Sequence, residues 1–302
     1  MKINYVIIIL VIIVLFAGTV KSFNFFSNNK KTIWIYNPIL KNSNKWKGVY
    51  SRRSVQDTIG LVKLCINSAQ FNLGKDYNIK LFNQDDLDTL IPESMDLLDL
   101  CKTRKVKDIC IKYSILYKYG GVWLPNSTII LNPLTLNTKE YESGRLLLFG
   151  LNHENYQGDP GYDDMIVASE KNTNIIRNLL NILEESVQTF NYDNVFNKYI
   201  NSYINTRPGD LYFDPLVMQY DMSGESIEKR DMTTTFNNRL VDYDNFVFYY
   251  IPTNDFERYP AYTFMLKLSP TDILATNTFV GELFKYSVKK ENLLVYSAIL
   301  NQ

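Results

Sequence analysis

The chain has 302 residues, and its 32 basic and 32 acidic side chains cancel. With a pI near 6.6 it lacks the positive footprint of a nucleic-acid binder, so that class is excluded. Charged residues at 21% and aromatics at 14% are those of a globular body rather than a disordered one.

The first element is apolar. Residues 5–20 (YVIIILVIIVLFAGTV) form an uncharged run between Lys2 and Lys21. The run is short for a spanning helix and long for the core of a signal peptide. Its best small-residue cleavage pattern is Ala17-x-Thr19, interrupted by Lys21. Residues 1–22 are therefore expected to be a retained single-pass anchor, a transmembrane helix, rather than a cleaved signal. Residues 23–31 follow as a short stem and residues 32–302 as one domain. Lys2 competes with Lys21, Lys30 and Lys31, so charge does not fix the orientation. The expectation is a type II protein with its body in the lumen of the secretory pathway.

Residues 32–36 (TIWIY) have strand composition and end at Asn37-Pro38. Val55, Ile59, Val62 and Ala69 have helical spacing before Gly74, and residues 77–82 (YNIKLF) predict a second strand. Strand, helix, strand in that order fits a βαβ unit with a parallel sheet. Asp86-Leu87-Asp88 spells D-x-D, but after Asn83 it reads as the acidic first turn of a helix. Val106, Ile109, Cys110, Tyr113, Leu116 and Tyr117 make one apolar stripe, the best helix in the chain. Gly120-Gly121 stops it, and Val122-Trp123-Leu124 starts a strand. Residues 128–131 and 146–150 predict further strands. Residues 165–169 lead into a helix carrying Ile175, Ile176, Leu179, Leu180, Leu183 and Val187 on one side. Another helix is expected over 195–203. Beyond Pro208-Gly209 the chain becomes aromatic and strand-like, notably over 245–251, before a last helix after Ser269-Pro270.

The three cysteines, Cys65, Cys101 and Cys110, form no C-x-x-C and fit neither a zinc site nor a disulfide framework. Cys65 and Cys110 fall on apolar helix faces and read as buried thiols, while a Cys101–Cys110 pair stays open for an oxidising compartment. The one histidine, His153, removes most metal chemistry and leaves a hydrolytic triad a single centre; a structural role is the simpler reading. Asp159, Asp163 and Asp164 cluster near His153 in a Gly- and Pro-rich stretch that reads first as a solvated turn.

The informative tract is residues 109–131, ICIKYSILYKYGGVWLPNSTIIL. A helix that ends at Gly-Gly and enters a strand stopping at small polar residues sets those residues at a carboxyl strand end. Ligands of open α/β sheets bind beyond such ends. Tyr117-Lys118-Tyr119-Gly120-Gly121-Val122-Trp123-Leu124 resembles the tract of capsular polysaccharide synthesis proteins and the related DXD-containing sugar transferases. Residues 32–36 and 164–169 are similar to further segments of that family. Gly-Gly-Val-Trp tracts with Pro in place of Asp are also similar to those of large DNA viruses, and the richness in Asn, Ile, Lys and Tyr suits an AT-rich genome. The resemblance spans residues 32–190 and is specific over 108–131.

It implies an α/β, Rossmann-like, GT-A-like fold of the nucleotide-diphospho-sugar transferase type, an open sheet with flanking helices. It further implies a nucleotide-sugar donor, a glycan or polysaccharide acceptor, and Mn²⁺ or Mg²⁺ held by the acidic motif. By the same resemblance Gly120 and Gly121 permit close approach of a ligand, Trp123 stacks on a ring, and Asn126 and Ser127 bind polar groups. Lys112 assists phosphate, and Asp163 and Asp164 supply catalytic carboxylates. The departures are chemical. The family's acidic position falls on Pro125, with Asn126 and Ser127 following; its helix Arg is Lys112 and its helix Asp is Ile109, beside Asp108. Neutral oxygen donors do not bring the negative charge that holds a divalent ion against a diphosphate. Two readings follow, an active membrane-bound glycosyltransferase and a catalytically inactive derivative that binds glycan.

Overall fold

β1 (Thr32–Tyr36) shows how the sheet is built. Its β-branched and aromatic residues alternate, so Ile33 and Ile35 face one side and Trp34 and Tyr36 the other. The computed structural model describes residues 30–38, 59–149, 165–189, 207–214, 216–217, 243–251 and 264–288. The apolar run at 5–20, the helix expected over 195–203, His153, Asp163 and Asp164 lie outside them. Among the described residues no helix is long and apolar enough to cross a membrane.

After β1 come α1 (Ile59–Leu73) and β2 (Asn78–Phe82). The short helices α2 (Leu87–Leu90) and α3 (Met95–Leu100) lead to α4 (Arg104–Tyr119) and β3 (Gly121–Trp123). β4 (Thr128–Ile130), α5 (Thr138–Glu142), β5 (Leu146–Phe149), β6 (Ile166–Ser169) and α6 (Asn174–Thr189) follow. The last described elements are β7 (Leu211–Asp214), β8 (Phe248–Tyr250), α7 (Pro270–Ala275) and α8 (Phe279–Val288). Lys31–Gln302 form one compact unit.

Six strands form the main sheet in the order β2-β1-β3-β6-β5-β7. β1 pairs in parallel with β2 and β3, and β5 with β7, whereas β6 runs antiparallel to both neighbours. Five strands thus point one way. The fold is a Rossmann-like α/β arrangement, with β6 reversed.

Register carries each row of side chains across the sheet. Trp34, Trp123, Val167 and Leu148 lie on one face, covered by α4 and α6. Ile33, Val122, Ala168 and Leu147 lie on the other, against Ala69 and Leu73 of α1 and Phe248 of β8. β4 and β8 form a separate two-stranded sheet, so the aromatic strand expected over 245–251 pairs there and not in the main sheet. On α6, Ile175, Ile176, Leu179, Leu183 and Val187 are buried, the stripe its spacing predicts. Each such side chain contributes about 1.5–3 kcal/mol, as an upper estimate. Asn83 and Asp86 form a reciprocal capping box at the turn before α2, so the D-x-D of residues 86–88 serves a helix start.

The exit from α4 is the tightest point. Gly120 closes the helix with its N–H on the Leu116 carbonyl (2.9 Å), and its own carbonyl accepts from Trp34 Nε1 at 2.8 Å in the interior. Gly120 and Gly121 have φ of 66° and 104°. A Cβ on Gly121 would lie 2.2 Å from the Thr32 carbonyl oxygen, a backbone atom that cannot step aside. We expect Gly121→Ala to cost at least about 2–3 kcal/mol in urea unfolding, from strain and collision together. At Gly209 an added Cβ meets nothing within 4 Å. Gly209→Ala should therefore stay within about 0.5 kcal/mol of the parent.

Candidate functional site

The order of the strands fixes where a ligand can enter. From β1 the chain passes through α1 to β2 on one side, then returns through α4 to β3 on the other. α1 and α4 pack on opposite faces of the sheet. The winding therefore reverses between β1 and β3. Helices on the two faces diverge there and leave a crevice beyond the carboxyl ends of both strands.

Two asparagines meet at that place. The first residue after β1 is Asn37, and Asn126 lies three residues past β3. Asn126 Nδ2 donates to Asn37 Oδ1 at 3.0 Å, and both side chains are half-buried. Their backbones are tied down as well: Asn37 N–H donates to the Phe82 carbonyl (2.9 Å), and Leu124 N–H to the Trp34 carbonyl (3.0 Å). The Asn37 amide N–H groups and the Asn126 carbonyl face no other partner among the described residues. The pair thus presents donors and an acceptor side by side.

Ser127 is different. It is buried, its Oγ donates to the Ile251 carbonyl at 2.8 Å, and its own carbonyl accepts from Ile251 N–H at 2.9 Å. Its hydroxyl holds the tip of β3 onto the smaller sheet instead of facing the crevice. Thr128, the hydroxyl residue of the Asn126-Ser127-Thr128 sequon, is buried in β4, so the folded loop does not present that sequon.

The amino end of α4 faces the same edge, because a crossover helix runs antiparallel to its strands. Thr103 caps it, its Oγ1 accepting from Val106 N–H at 3.3 Å. Arg104, Asp108 and Lys112 follow at intervals of four, along one side of the helix. Arg104 Nε is 3.7 Å from the Asp108 carboxylate. Burial pushes the Asp108 carboxyl up to about 6, against the pull of Arg104, Lys112 and Lys107. Tyr36 is pushed up to about 12, first by burial and then by the negative charge of Asp108. Tyr36 and Asp108 are therefore electrostatic neighbours at the mouth of the crevice.

Not all the expected residues converge. Gly120 and Gly121 sit at the amino end of β3, at the opposite edge of the sheet. The close approach they allow is to Lys171 and Thr32 of the chain itself, which corrects their expected place beside a ligand. Trp123 is only 7% exposed and packs against Tyr36 and Phe82, with ring centroids 6.4 and 6.1 Å away. Its ring is core, with little surface left for stacking on a ligand. Lys112 is 5% exposed, with Nζ 4.9 Å from the Tyr113 ring centroid, so its charge acts on Asp108 more readily than on a phosphate in solvent. Asp163 and Asp164 fall outside the described residues. Sequence reasoning passed over Asn37, Tyr36 and Asp214. Asp214 ends β7 on the same edge, its carboxyl raised by burial, three strand spacings or roughly 14 Å from β3. The strand-like composition after Pro208-Gly209 was the one available signal for it.

No group of three or more His, Cys, Asp or Glu side chains among the described residues could hold a metal ion. At the tip of β3 the donors are the Asn126 amide and a Ser127 hydroxyl already engaged, both neutral. These described donors do not fit Mn²⁺ or Mg²⁺ held against a diphosphate.

Asp108 makes the site sensitive to pH. An acid whose folded value of about 6 exceeds its ordinary 3.8 binds its proton more tightly in the folded state. Stability therefore falls as pH rises from about 4 to about 6 and stays lower above that. With 41% of the Asp108 side chain open to solvent, screening holds the penalty to about 1 kcal/mol. Asp108→Asn should thus stabilise the protein by about that amount at pH 7.5, with the gain vanishing below pH ~4 in urea unfolding series.

No protein-family model matches the chain, and no curated protein matches it. Among solved structures the chain is similar to one described as PaToxG glycosyltransferase, at 15% identity and a TM-score of 0.35. That match covers 64% of this chain and 79% of the other. It is also similar to a transferase solved as a double cysteine-to-serine mutant, at 9% identity and a TM-score of 0.28, covering 60% and 87% of the two chains. Likenesses this low carry no weight for activity.

Proposed function

We propose that the chain is a glycosyltransferase-like protein that takes a nucleoside-diphosphate sugar into the crevice between β1 and β3 and transfers the sugar to a glycan or polysaccharide acceptor. The observation that carries this reading is the reversal of winding between those strands, with a half-buried asparagine pair at their tips. Paired amides match the hydroxyls of a sugar or ribose, or the edge of a base, each needing both a donor and an acceptor. Arg104 and the amino end of the 16-residue helix α4 give the same edge positive character toward a diphosphate. Asp163 and Asp164 come two and one residues before Met165, and β6 begins at this edge of the sheet opposite Phe149. In this reading they supply the carboxylates, and any Mn²⁺ or Mg²⁺ is held there rather than by Asn126. The run at residues 5–20 serves as the membrane anchor, with the body in the lumen.

One observation favours a second reading. The polar groups that replace the acidic motif are neutral, and Ser127 is spent on Ile251. A protein that binds glycan without catalysis would have the same fold and the same amide pair.

Calorimetry with UDP- and GDP-sugars, with and without Mn²⁺, separates the two, combined with an assay for nucleotide release in the presence of glycan acceptors. Binding with turnover is the expected result. Asn37→Ala and Asn126→Ala should each weaken donor binding about tenfold, the worth of one or two hydrogen bonds. Asp163→Ala and Asp164→Ala should remove the metal-dependent part. Glycan binding without affinity for any sugar nucleotide would establish the second reading, and binding of neither class would sink both.

A further inference from the structure

Two thiols outside the crevice face each other across a tight turn. Cys101 follows α3 directly, and Cys110 lies in the second turn of α4. Their Sγ atoms are 3.6 Å apart, with no disulfide between them. Only Lys102 and Thr103, both exposed, separate Cys101 from the start of α4. Cys110 is fully buried against the α4 side of the sheet, whereas Cys101 is half-buried and open to a small reagent. Cys65 is a buried residue of α1, in a different cluster.

We infer that Cys101 and Cys110 are a reversible redox pair, which a small-molecule disulfide such as oxidised glutathione converts to an intrachain disulfide. The geometry asks for a modest change. The sulfurs must close from 3.6 Å to the bonded distance of about 2.05 Å. Cys110 is held in a helix, so the adjustment falls on Cys101, whose segment ends α3 with a backbone bond to Leu98 (3.3 Å) and a thiol contact to the Leu97 carbonyl (3.3 Å).

The two sulfurs are also unequal in the way exchange requires. The hydrogen bond shared with Cys110 holds the Cys101 thiol below its ordinary range, with help from Lys107, while that bond and burial push Cys110 up. Cys101 is thus the entry point and Cys110 the resolving thiol. In the first step the Cys101 thiolate attacks one sulfur of oxidised glutathione, the S–S bond breaks, and one glutathione leaves with the Cys101 proton. In the second, Cys110 gives up its proton and attacks Cys101 Sγ, closing the intrachain bond and releasing the other glutathione. Two electrons and two protons pass from the protein to glutathione.

The inference stands apart from the ligand reading, since neither thiol belongs to the crevice. Trypsin cuts after Lys80, Lys102, Lys107 and Lys112, so Cys101 and Cys110 fall in separate peptides, 81–102 and 108–112. The full-length chain is equilibrated in buffers of graded oxidised and reduced glutathione, acid-quenched, alkylated under denaturing conditions and digested. Peptides 81–102 and 108–112 should appear covalently joined in oxidising buffer and separate on reduction, with Cys65 alkylated throughout. Cys110→Ala should instead trap glutathione on Cys101. Three results overturn the inference: a stable glutathione adduct on Cys101 of the parent chain, full alkylation of both cysteines in every buffer, or Cys101 joined between chains. If Cys110→Ala fails to fold, the parent chain still decides, because its linked peptides form or do not.

Discussion

The crevice depends on how the chain leaves α4. At Gly120 the helix must end, reverse into a strand, and slide between β1 and β6 with no room for a side chain. Thr32 lies against Gly121 on one side, and Ser169 and Lys171 lie against Gly120 on the other. Trp34 fixes the turn from across the sheet by donating to the Gly120 carbonyl. Once this exit is set, register follows, and a one-residue slip would exchange Trp123 and Val122 between the two buried faces of the sheet. The tip of β3 then falls beside the tip of β1, which is why Asn126 reaches Asn37. Glycines that look like ligand contacts act on the site from the far edge of the sheet.

This explains which parts of the molecule were legible in the sequence. The stripe from Val106 to Tyr117 and the one from Ile175 to Val187 became α4 and α6, because a helix with one apolar face has one way to bury it. β1, β2 and their parallel pairing followed from composition and from the helix between them. Harder to read was the reversed β6, since a run such as IVAS is buried on both faces and carries no sign of its direction. The aromatic segment around Phe248 had strand character, but only tertiary contact with β4 put it in the smaller sheet. Asn37 gave no signal either. Beside Pro38 it looked like a turn residue, and its partner is 89 positions away.

The electrostatics around the crevice sort the candidate residues more sharply than their spacing does. Spacing placed Lys112 where a phosphate-binding cation belongs, yet the fold draws it inside, where its charge eases the burial of Asp108. Asp108, one position from where the resemblance set an acid, is the carboxyl closest in charge to Tyr36. Burial leaves that carboxyl reluctant to ionise, so it keeps its proton through the lower acid range and gives it up around pH 6. At neutral pH the carboxylate sits near a phenol that is itself held protonated. Together they give the mouth a phenol donor beside one negative charge, which Arg104 partly offsets.

A site of that character constrains its own chemistry. A diphosphate brings negative charge that must be met by a cation, by helix ends or by arginine. Conventional acidic motifs meet it indirectly, by recruiting a divalent ion. Here the tips of β1 and β3 are neutral, and the positive elements within reach are the amino end of α4 and Arg104, which Asp108 already partly engages. Neutral amides at the strand tips avoid placing a carboxylate against the phosphates, so a donor could be held without metal at that point. They would also supply nothing to a departing nucleotide as charge builds on it. Any help at that stage must come from residues beyond the two strands. On the proposed reading, the reversal between β1 and β3 sets where a donor would lie, and carboxylates supplied elsewhere along the same edge would determine whether it reacts.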